Sequence, residues 1–190
     1  MLPDMQRITV GVDPSGTSGE EKANSVGIVA VGLGVDGIGY VLCDWTCSLP
    51  PLGWARRVIE CYHQFSADRI VAEKNFGGAM VESTLRTIDP NAPIKMVTAS
   101  RGKIARAEPV AALYEQGRIK HAGSFPELED QLIAMTPEGY IGGGSPDRVD
   151  ALVWAVHDLM LRRVFDGGKE VGLPFVGQKH EEIEDPRRRQ

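Results

Sequence analysis

The sequence predicts an α/β fold in which a mixed five-stranded sheet carries helices on both faces. Three β-rich apolar runs open the chain, two alternations of helix and strand follow, and only helical patterns come after those. The chain has 190 residues, of which 42% are hydrophobic and 25% are charged. This length and composition suit one globular domain with its own core.

The first three strands are predicted at residues 7–13, 25–33 and 38–47. Short polar and Gly-rich stretches separate them, which is typical of an antiparallel meander. Asp36 and Gly37 provide a hairpin-turn signal between the second strand and the third.

After Pro50 and Pro51 the spacing of apolar residues becomes helical. The run DRIVAEKN, residues 68–75, then has the pattern of a short strand that is buried as in a parallel sheet. The remaining elements are predicted as a helix at 78–88, a strand at 93–98, and helices at 103–117, 126–135 and 146–163.

Two crossover connections place the fourth strand beside the first and parallel to it. The predicted strand order is therefore 3-2-1-4-5, with strand 2 antiparallel to its neighbours. We assign residues 1–166 to this domain. Residues 167–190 are polar and rich in turn formers, and we expect them to form a flexible C-terminal tail.

The composition restricts the classes of function. The net charge is −5, from 26 acidic and 21 basic residues, whereas a domain that holds DNA by charge alone is usually basic. If nucleic acid is the substrate, the acidic residues must be concentrated around cations. The sequence has neither a long apolar run nor a signal-peptide core, so no membrane partner is expected. The odd number of cysteines, three, indicates reduced thiols in a cytoplasmic protein.

Two acidic residues stand at the ends of predicted strands. Asp13 ends the first strand and Glu73 ends the fourth. Parallel neighbouring strands lie ~4.8 Å apart, and ligands of open α/β sheets bind at the carboxyl ends of strands. Like charges this close raise each other's pKa unless a cation neutralises them. Oxygen ligands of this kind suit Mg²⁺ or Mn²⁺.

A third acidic element begins the last predicted helix. Ser145 is a favourable N-cap and Pro146 a favourable first helical residue. Asp147 and Asp150 are three residues apart and therefore share one helix face. Since Ala151 is small, the helix can approach the sheet closely and present both acids to the strand ends.

Each residue also has a purely structural interpretation. Asp13 could open a turn, Asp147 could interact favourably with the helix dipole, and Trp154 has the pattern of a core anchor. Glu73 is less easily explained, because Glu is uncommon in buried strands. Three separate segments that each deliver an acid to one edge of the sheet favour a functional site.

Four motifs carry a family resemblance: GVDPSGT, VAEKNFGG, SRGKIARAEPVAALYEQGRI and SPDRVDALVWA, in that order. Together they resemble the C-terminal nuclease domain of bacteriophage terminase large subunits, within the ribonuclease H-like superfamily. The resemblance covers residues 7–163. It implies an endonuclease that cuts double-stranded viral DNA with two Mg²⁺ or Mn²⁺ ions in the cytoplasm of an infected bacterium. The implied partners are an ATPase motor domain, a small terminase subunit and the portal.

The resemblance also implies roles for the acidic residues. Asp13 would bridge both ions, Glu73 would bind one, and Asp147 with Asp150 would hold the other. Many family members carry adjacent acids before the last helix, whereas Pro146 precedes Asp147 here. Either Asp147 or Asp150 could therefore be the principal third ligand.

Basic residues near these motifs are candidates for contacts with DNA phosphates. Lys103 and Arg106 share a predicted helix face, and Lys74 and Arg101 lie close to the same motifs in sequence. Phosphate contacts of this kind position a protein on DNA. The alternative for these residues is an ordinary solvated helix face.

Other functions share parts of this pattern. The D-x-x-D-A spacing also resembles that of Holliday-junction resolvases, and another ribonuclease H-like nuclease is an alternative within the same class. DPSGT resembles the phosphate turn of actin-like and sugar-kinase-type ATP-binding domains, and a non-catalytic binding domain of the same fold is a further alternative. Ile104 follows Gly-Lys where a phosphate-binding loop needs Ser or Thr. We therefore expect no ATP hydrolysis and a nuclease domain alone.

Overall fold

A computed structural model of the chain describes residues 1–14, 25–74 and 78–161. Within them the elements are β1 (Met5–Pro14), β2 (Val26–Gly34), β3 (Gly39–Asp44), α1 (Pro51–Gln64), β4 (Arg69–Glu73), α2 (Gly78–Ile88), β5 (Ile94–Val97), α3 (Lys103–Glu115), β6 (Ile119–His121), α4 (Pro126–Ile133), β7 (Met135–Thr136), β8 (Gly139–Tyr140) and α5 (Asp147–Met160). The tail predicted at 167–190 lies outside the described residues. Among the described helices, none combines the length and the apolar character that crossing a bilayer requires.

The main sheet confirms the predicted α/β class and corrects its strand count. Its order is β5-β4-β1-β2-β3-β6, so the predicted order of the first five strands is right and a sixth strand, β6, is added. β6 pairs with β3 in parallel. The sequence pattern predicts a helix at 103–117 and no strand directly after it. Gly117, at φ 66°, reverses the chain after α3, and the three residues of β6 are too few to show a strand period.

Helices cover both faces of the sheet, as predicted. On one face α1 and α2 pack over a core that includes Val12, Ile28 and Ile70. On the other face α3, α4 and α5 enclose Val29, Val31 and Leu152. β1, β2 and β4 are buried on both faces, which explains why their sequences are nearly continuous apolar runs.

Two glycines allow α5 to lie directly on the sheet. A Cβ atom on Gly11 would stand 3.0 Å from the carbonyl carbon of Ala151, and one on Gly27 would stand 2.6 Å from that of Asp147. Real Cβ atoms essentially never lie closer than 3.0 Å to a backbone atom, and the carbonyl oxygens of Ala151 and Asp147 would lie nearer still than their carbons. The absence of side chains at these two positions of β1 and β2 therefore sets the height of α5 above the sheet.

The start of the last helix and one short hairpin differ from the sequence predictions. The last helix begins at Asp147, with Pro146 at the N-cap and no side-chain capping bond, so the prediction of Ser145 as N-cap was wrong. The short β7–β8 hairpin was not predicted, because two-residue strands carry no periodic signal.

Candidate functional site

The register of β1 and β4 brings the first two acids together. Val12 pairs with Ala72 in the parallel ladder, so Asp13 and Glu73 follow it side by side at the carboxyl edge of the sheet. Asp13 reaches this edge because β1 lies between β2 and β4. The valines of β1 are buried in this central position.

α5 brings the other two acids to the same place. It begins above Gly27, directly opposite Asp13 in the β1–β2 ladder. The charges of Asp150, Glu73 and Asp147 all act on Asp13. The four carboxyl groups together are called the acidic basin. Their exposed fractions are 2% for Asp13, 6% for Glu73, 4% for Asp147 and 3% for Asp150.

Burial changes the protonation of two of these acids, Asp13 and Asp147. Burial and, after it, the charges of Asp150 and Glu73 raise the pKa of Asp13 to about 8, although Lys103 opposes the shift. Burial likewise raises the pKa of Asp147. Its Oδ1 atom is buried and has no hydrogen-bond partner within the described residues. Burial of such an oxygen costs free energy of folding unless a cation or a proton satisfies it.

Two basic side chains from α3 reach into the acidic basin. Arg106 is 7% exposed; its Nη2 lies 3.3 Å from Asp150 Oδ1 and its Nη1 lies 3.6 Å from Glu73 Oε1. Lys103 pairs with Asp150 Oδ2 and donates to Ser145 Oγ at 3.3 Å. Burial alone would lower the pKa of Lys103, but its hydrogen bond and ion pair with Asp150 raise it overall.

Trp154 belongs to the site, although the sequence suggested only a core anchor. Its Nε1–H donates to Glu73 Oε2 at 2.9 Å. The Arg106 guanidinium carbon lies 4.7 Å from the centre of its ring. The signal that could have identified it is its position four residues after Asp150, on the same face of α5.

The basin fits hard divalent cations by its donor chemistry. Its four acids would bind a cation through carboxylate oxygens, the ligand type that Mg²⁺ and Mn²⁺ prefer. One of these oxygens, Asp147 Oδ1, is buried and has no hydrogen-bond partner in the described part of the chain. Within residues 1–14, 25–74 and 78–161, no three acidic, His or Cys side chains are already grouped so as to hold a metal ion. The Arg106 guanidinium lies between Glu73 and Asp150 instead. The assignment of these four acids as ligands stays a prediction.

The basic residues predicted to contact DNA occupy different environments. Lys74 and Arg101 are exposed, and the side chain of Lys103 is 47% exposed. Arg106, by contrast, is buried in the acidic basin, where its Nη1 also donates to the Arg101 carbonyl at 3.4 Å. The first three residues are therefore better placed to meet a phosphate from solvent than Arg106.

A cavity of about 1000 Å³ adjoins the basin between β5, α3 and α5. Arg106 and Trp154 separate the two, and the cavity is also lined by Lys95, Arg101 and Asp158. None of the four acids lines it. Lys95 and Asp158 form an ion pair at 3.1 Å, so part of this lining is already neutralised. The four carboxyl groups of the acidic basin therefore lie outside this cavity.

Residues 10–159 match the family model described as the terminase RNaseH-like domain. The chain belongs to this family. The match spans all four acids of the basin, and it confirms the resemblance that the four sequence motifs predicted. No curated protein matched the chain.

Solved structures share the fold of this terminase RNaseH-like domain. The large terminase nuclease of thermophilic phage G20c, crystallised with magnesium, has a TM-score of 0.61 at 15% identity over 80% of this chain and 81% of its own. The nuclease domain of the large terminase subunit gp2 of bacterial virus Sf6, crystallised with manganese and β-thujaplicinol, has a TM-score of 0.58 at 14% identity over 80% of this chain and 89% of its own.

The HK97 bacteriophage large terminase has a TM-score of 0.64 at 13% identity. The alignment covers 83% of this chain and 40% of the HK97 chain. This terminase RNaseH-like domain therefore spans less than half the length of that large terminase.

Proposed function

We propose that this domain is a divalent-metal-dependent endonuclease that cleaves double-stranded DNA, as the nuclease part of a viral DNA-packaging terminase. The observation that carries the proposal is that four acids from β1, β4 and α5 are buried near one another inside a terminase-family fold, close enough for the charges of Asp150, Glu73 and Asp147 to act on Asp13. Folding buries these charges at a cost, and stability alone gives no reason to group them.

The acidic basin would hold two Mg²⁺ or Mn²⁺ ions, with Asp13 between them, Glu73 on one, and Asp147 with Asp150 on the other. When bound, such ions activate water and stabilise the leaving oxygen of a phosphodiester. The relatives crystallised with magnesium and manganese support this choice of metal.

The residues of the chain must prepare the basin for these ions. Asp13 must lose the proton that its raised pKa favours, so metal binding would release a proton. Asp150 must exchange its ion pairs with Lys103 and Arg106 for a metal. The ammonium of Lys103, which is half-exposed, would then be available to a substrate phosphate.

Binding of DNA by an acidic chain needs local positive charge. The exposed side chains of Lys74 and Arg101, together with Lys103 and the bound cations, would supply it, and we keep Arg106 as a further candidate phosphate contact. The motor ATPase domain, the small subunit and the portal would be partners, and the site of action would be the cytoplasm of the infected host. The family match favours this function over an actin-like or sugar-kinase-type ATP-binding domain.

A plasmid cleavage assay tests the proposal. Supercoiled DNA is incubated with the protein and Mn²⁺ or Mg²⁺, with EDTA, and with the variants Asp13→Asn and Glu73→Gln. Glu60→Gln and Asp130→Asn, both at exposed positions, are matched controls. We expect nicking and linearisation that EDTA and either basin variant abolish while the controls remain active. Cleavage that survives EDTA or Asp13→Asn would exclude the metal mechanism. A four-way junction cut in preference to linear duplex would instead indicate a resolvase.

A further inference from the structure

Glu73 is held from two sides by residues outside the set of candidate ligands. The indole Nε1–H of Trp154 donates to Oε2 at 2.9 Å, and Arg106 Nη1 lies 3.6 Å from Oε1. All three side chains are more than nine-tenths buried. The two oxygens of Glu73 therefore have different partners: a neutral donor on Oε2 and a cation near Oε1.

Trp154 also fixes the cation. Its ring lies 4.7 Å from the Arg106 guanidinium carbon, a distance that gives a cation–π attraction. Through Nη2, Arg106 reaches Asp150 at 3.3 Å. The indole of Trp154 thus contacts Glu73 of β4 directly and is connected through Arg106 to Asp150. Asp150 lies one turn before Trp154 on α5.

We propose that Trp154 is a positioning residue that fixes the Glu73 carboxylate by its Oε2 atom, so that Oε1, which faces Arg106 Nη1, is the oxygen that a divalent cation would take in place of that guanidinium. This inference rests on the proposed function, since only a metal site requires an oriented carboxylate here. The terminal torsion of Glu is broad and nearly two-fold, so without the indole donor the carboxylate would rotate.

The size of the effect follows from other metal sites. Loss of a residue that orients a ligand typically weakens metal binding by about 10- to 100-fold. A tryptophan that only filled the core would show no such effect when its ring is replaced by another aromatic ring. The N–H group, and not the volume of the ring, is therefore what the experiment must remove.

Trp154→Phe removes the donor and keeps an aromatic ring against Arg106. The matched control is Trp54→Phe, because Trp54 is equally buried but lies in the core on the opposite face of the sheet. Mn²⁺ binding is measured by isothermal titration calorimetry, and thermal unfolding is followed without metal. We expect the Mn²⁺ dissociation constant to rise about 10- to 100-fold in Trp154→Phe and to stay at the wild-type value in Trp54→Phe, with similar melting temperatures for the two variants.

An unchanged Mn²⁺ affinity in Trp154→Phe, or an equal loss in Trp54→Phe, overturns the inference and leaves the proposed function intact. A wild-type protein that binds no Mn²⁺ overturns both. The wild-type titration is performed first, so the two failures are distinguishable.

A second measurement avoids any change at Trp154, in case Trp154→Phe does not fold. In the ¹⁵N-labelled wild-type protein, the indole N–H resonance of Trp154 is identified by elimination, using Trp45→Phe and Trp54→Phe. We expect a Mg²⁺ titration to shift this resonance, and Glu73→Ala to shift it and to remove its response to Mg²⁺. A Trp154 resonance that is indifferent to both changes overturns the inference.

Discussion

Gly27 lies directly beneath Asp147, and a Cβ atom at Gly27 would stand 2.6 Å from the Asp147 carbonyl carbon. The contact joins β2 to the first residue of α5. Because Asp147 and Asp150 occupy the first turn of that helix, the height of α5 above the sheet also decides where both acids lie.

Gly27→Ala is therefore expected to lift α5 and to disturb both the core and the acidic basin. Overpacking of this kind costs about 1–3 kcal/mol, and sometimes more. Urea unfolding measures the cost, and the cleavage assay should show lost activity. Gly102→Ala is the matched control, because a Cβ at Gly102 would meet nothing within 4 Å. Equal stabilities of the two variants would contradict this account of the helix height.

Asp13→Asn is expected to stabilise the metal-free protein at high pH. Burial and neighbouring acids raise the pKa of Asp13 from 3.8 to about 8, so the folded state binds more protons than the unfolded state between these values. The contribution of Asp13 to stability is therefore retained below about pH 4 and lost as the pH rises to about 8.

Urea unfolding in EDTA at pH 5 and pH 8 measures this effect. The gain from Asp13→Asn should be larger at pH 8 and on the order of a few kcal/mol. Asp130→Asn, at an exposed position on α4, should give the same small change at both values of pH. A gain at pH 8 no larger than at pH 5 would mean that Asp13 titrates normally in the folded protein.

Asp147→Asn and Asp150→Asn are expected to separate metal binding from stability. Asp147 has an unpartnered buried oxygen within the described residues, whereas Asp150 pairs with Lys103 and Arg106. Both variants should lose the Mn²⁺-induced rise in melting temperature, but only Asp150→Asn should also destabilise the metal-free protein, because it weakens two ion pairs.

Thermal unfolding with and without Mn²⁺ checks this prediction. A bound ion at 100 times its dissociation constant adds about 2.7 kcal/mol, which is enough for a clear shift. If Asp147→Asn retains the full Mn²⁺ shift, Asp150 is the principal third ligand.

Lys74→Gln with Arg101→Gln is expected to reduce the salt dependence of DNA binding. Each phosphate contact contributes about 0.9 to the slope of log K against log salt concentration for duplex DNA. Two lost contacts should therefore lower the slope by about 2. Binding is measured with the Glu73→Gln protein, so that the DNA stays intact. Arg56→Gln, at an exposed position on α1, is the control, and equal slopes in all three proteins would show that Lys74 and Arg101 are ordinary surface charges.

Much of the fold was accessible from the sequence because it depends on local pattern. The apolar run of β4 predicted a buried strand of the parallel type, and the crossover connections placed it beside β1, so Asp13 and Glu73 were expected at one edge of the sheet. The helical pattern after Pro146 placed Asp147 and Asp150 on one face in the same way. β6 was not predicted, because three residues are too few to show a strand period. Its place beside β3 depends on contacts between residues distant in sequence.

The sequence by itself determined the class of the fold, the order of its first five strands and the candidate acids, since hydrophobic periodicity states which residues are buried. Only the tertiary structure decided which groups surround those acids. Trp154 is 81 residues from Glu73, and Arg106 is 44 residues from Asp150. Periodicity assigns a side chain to the interior, but the partner of a buried polar atom is chosen by the packing of separate elements. That packing here places an indole and a guanidinium of different helices against the same carboxylate.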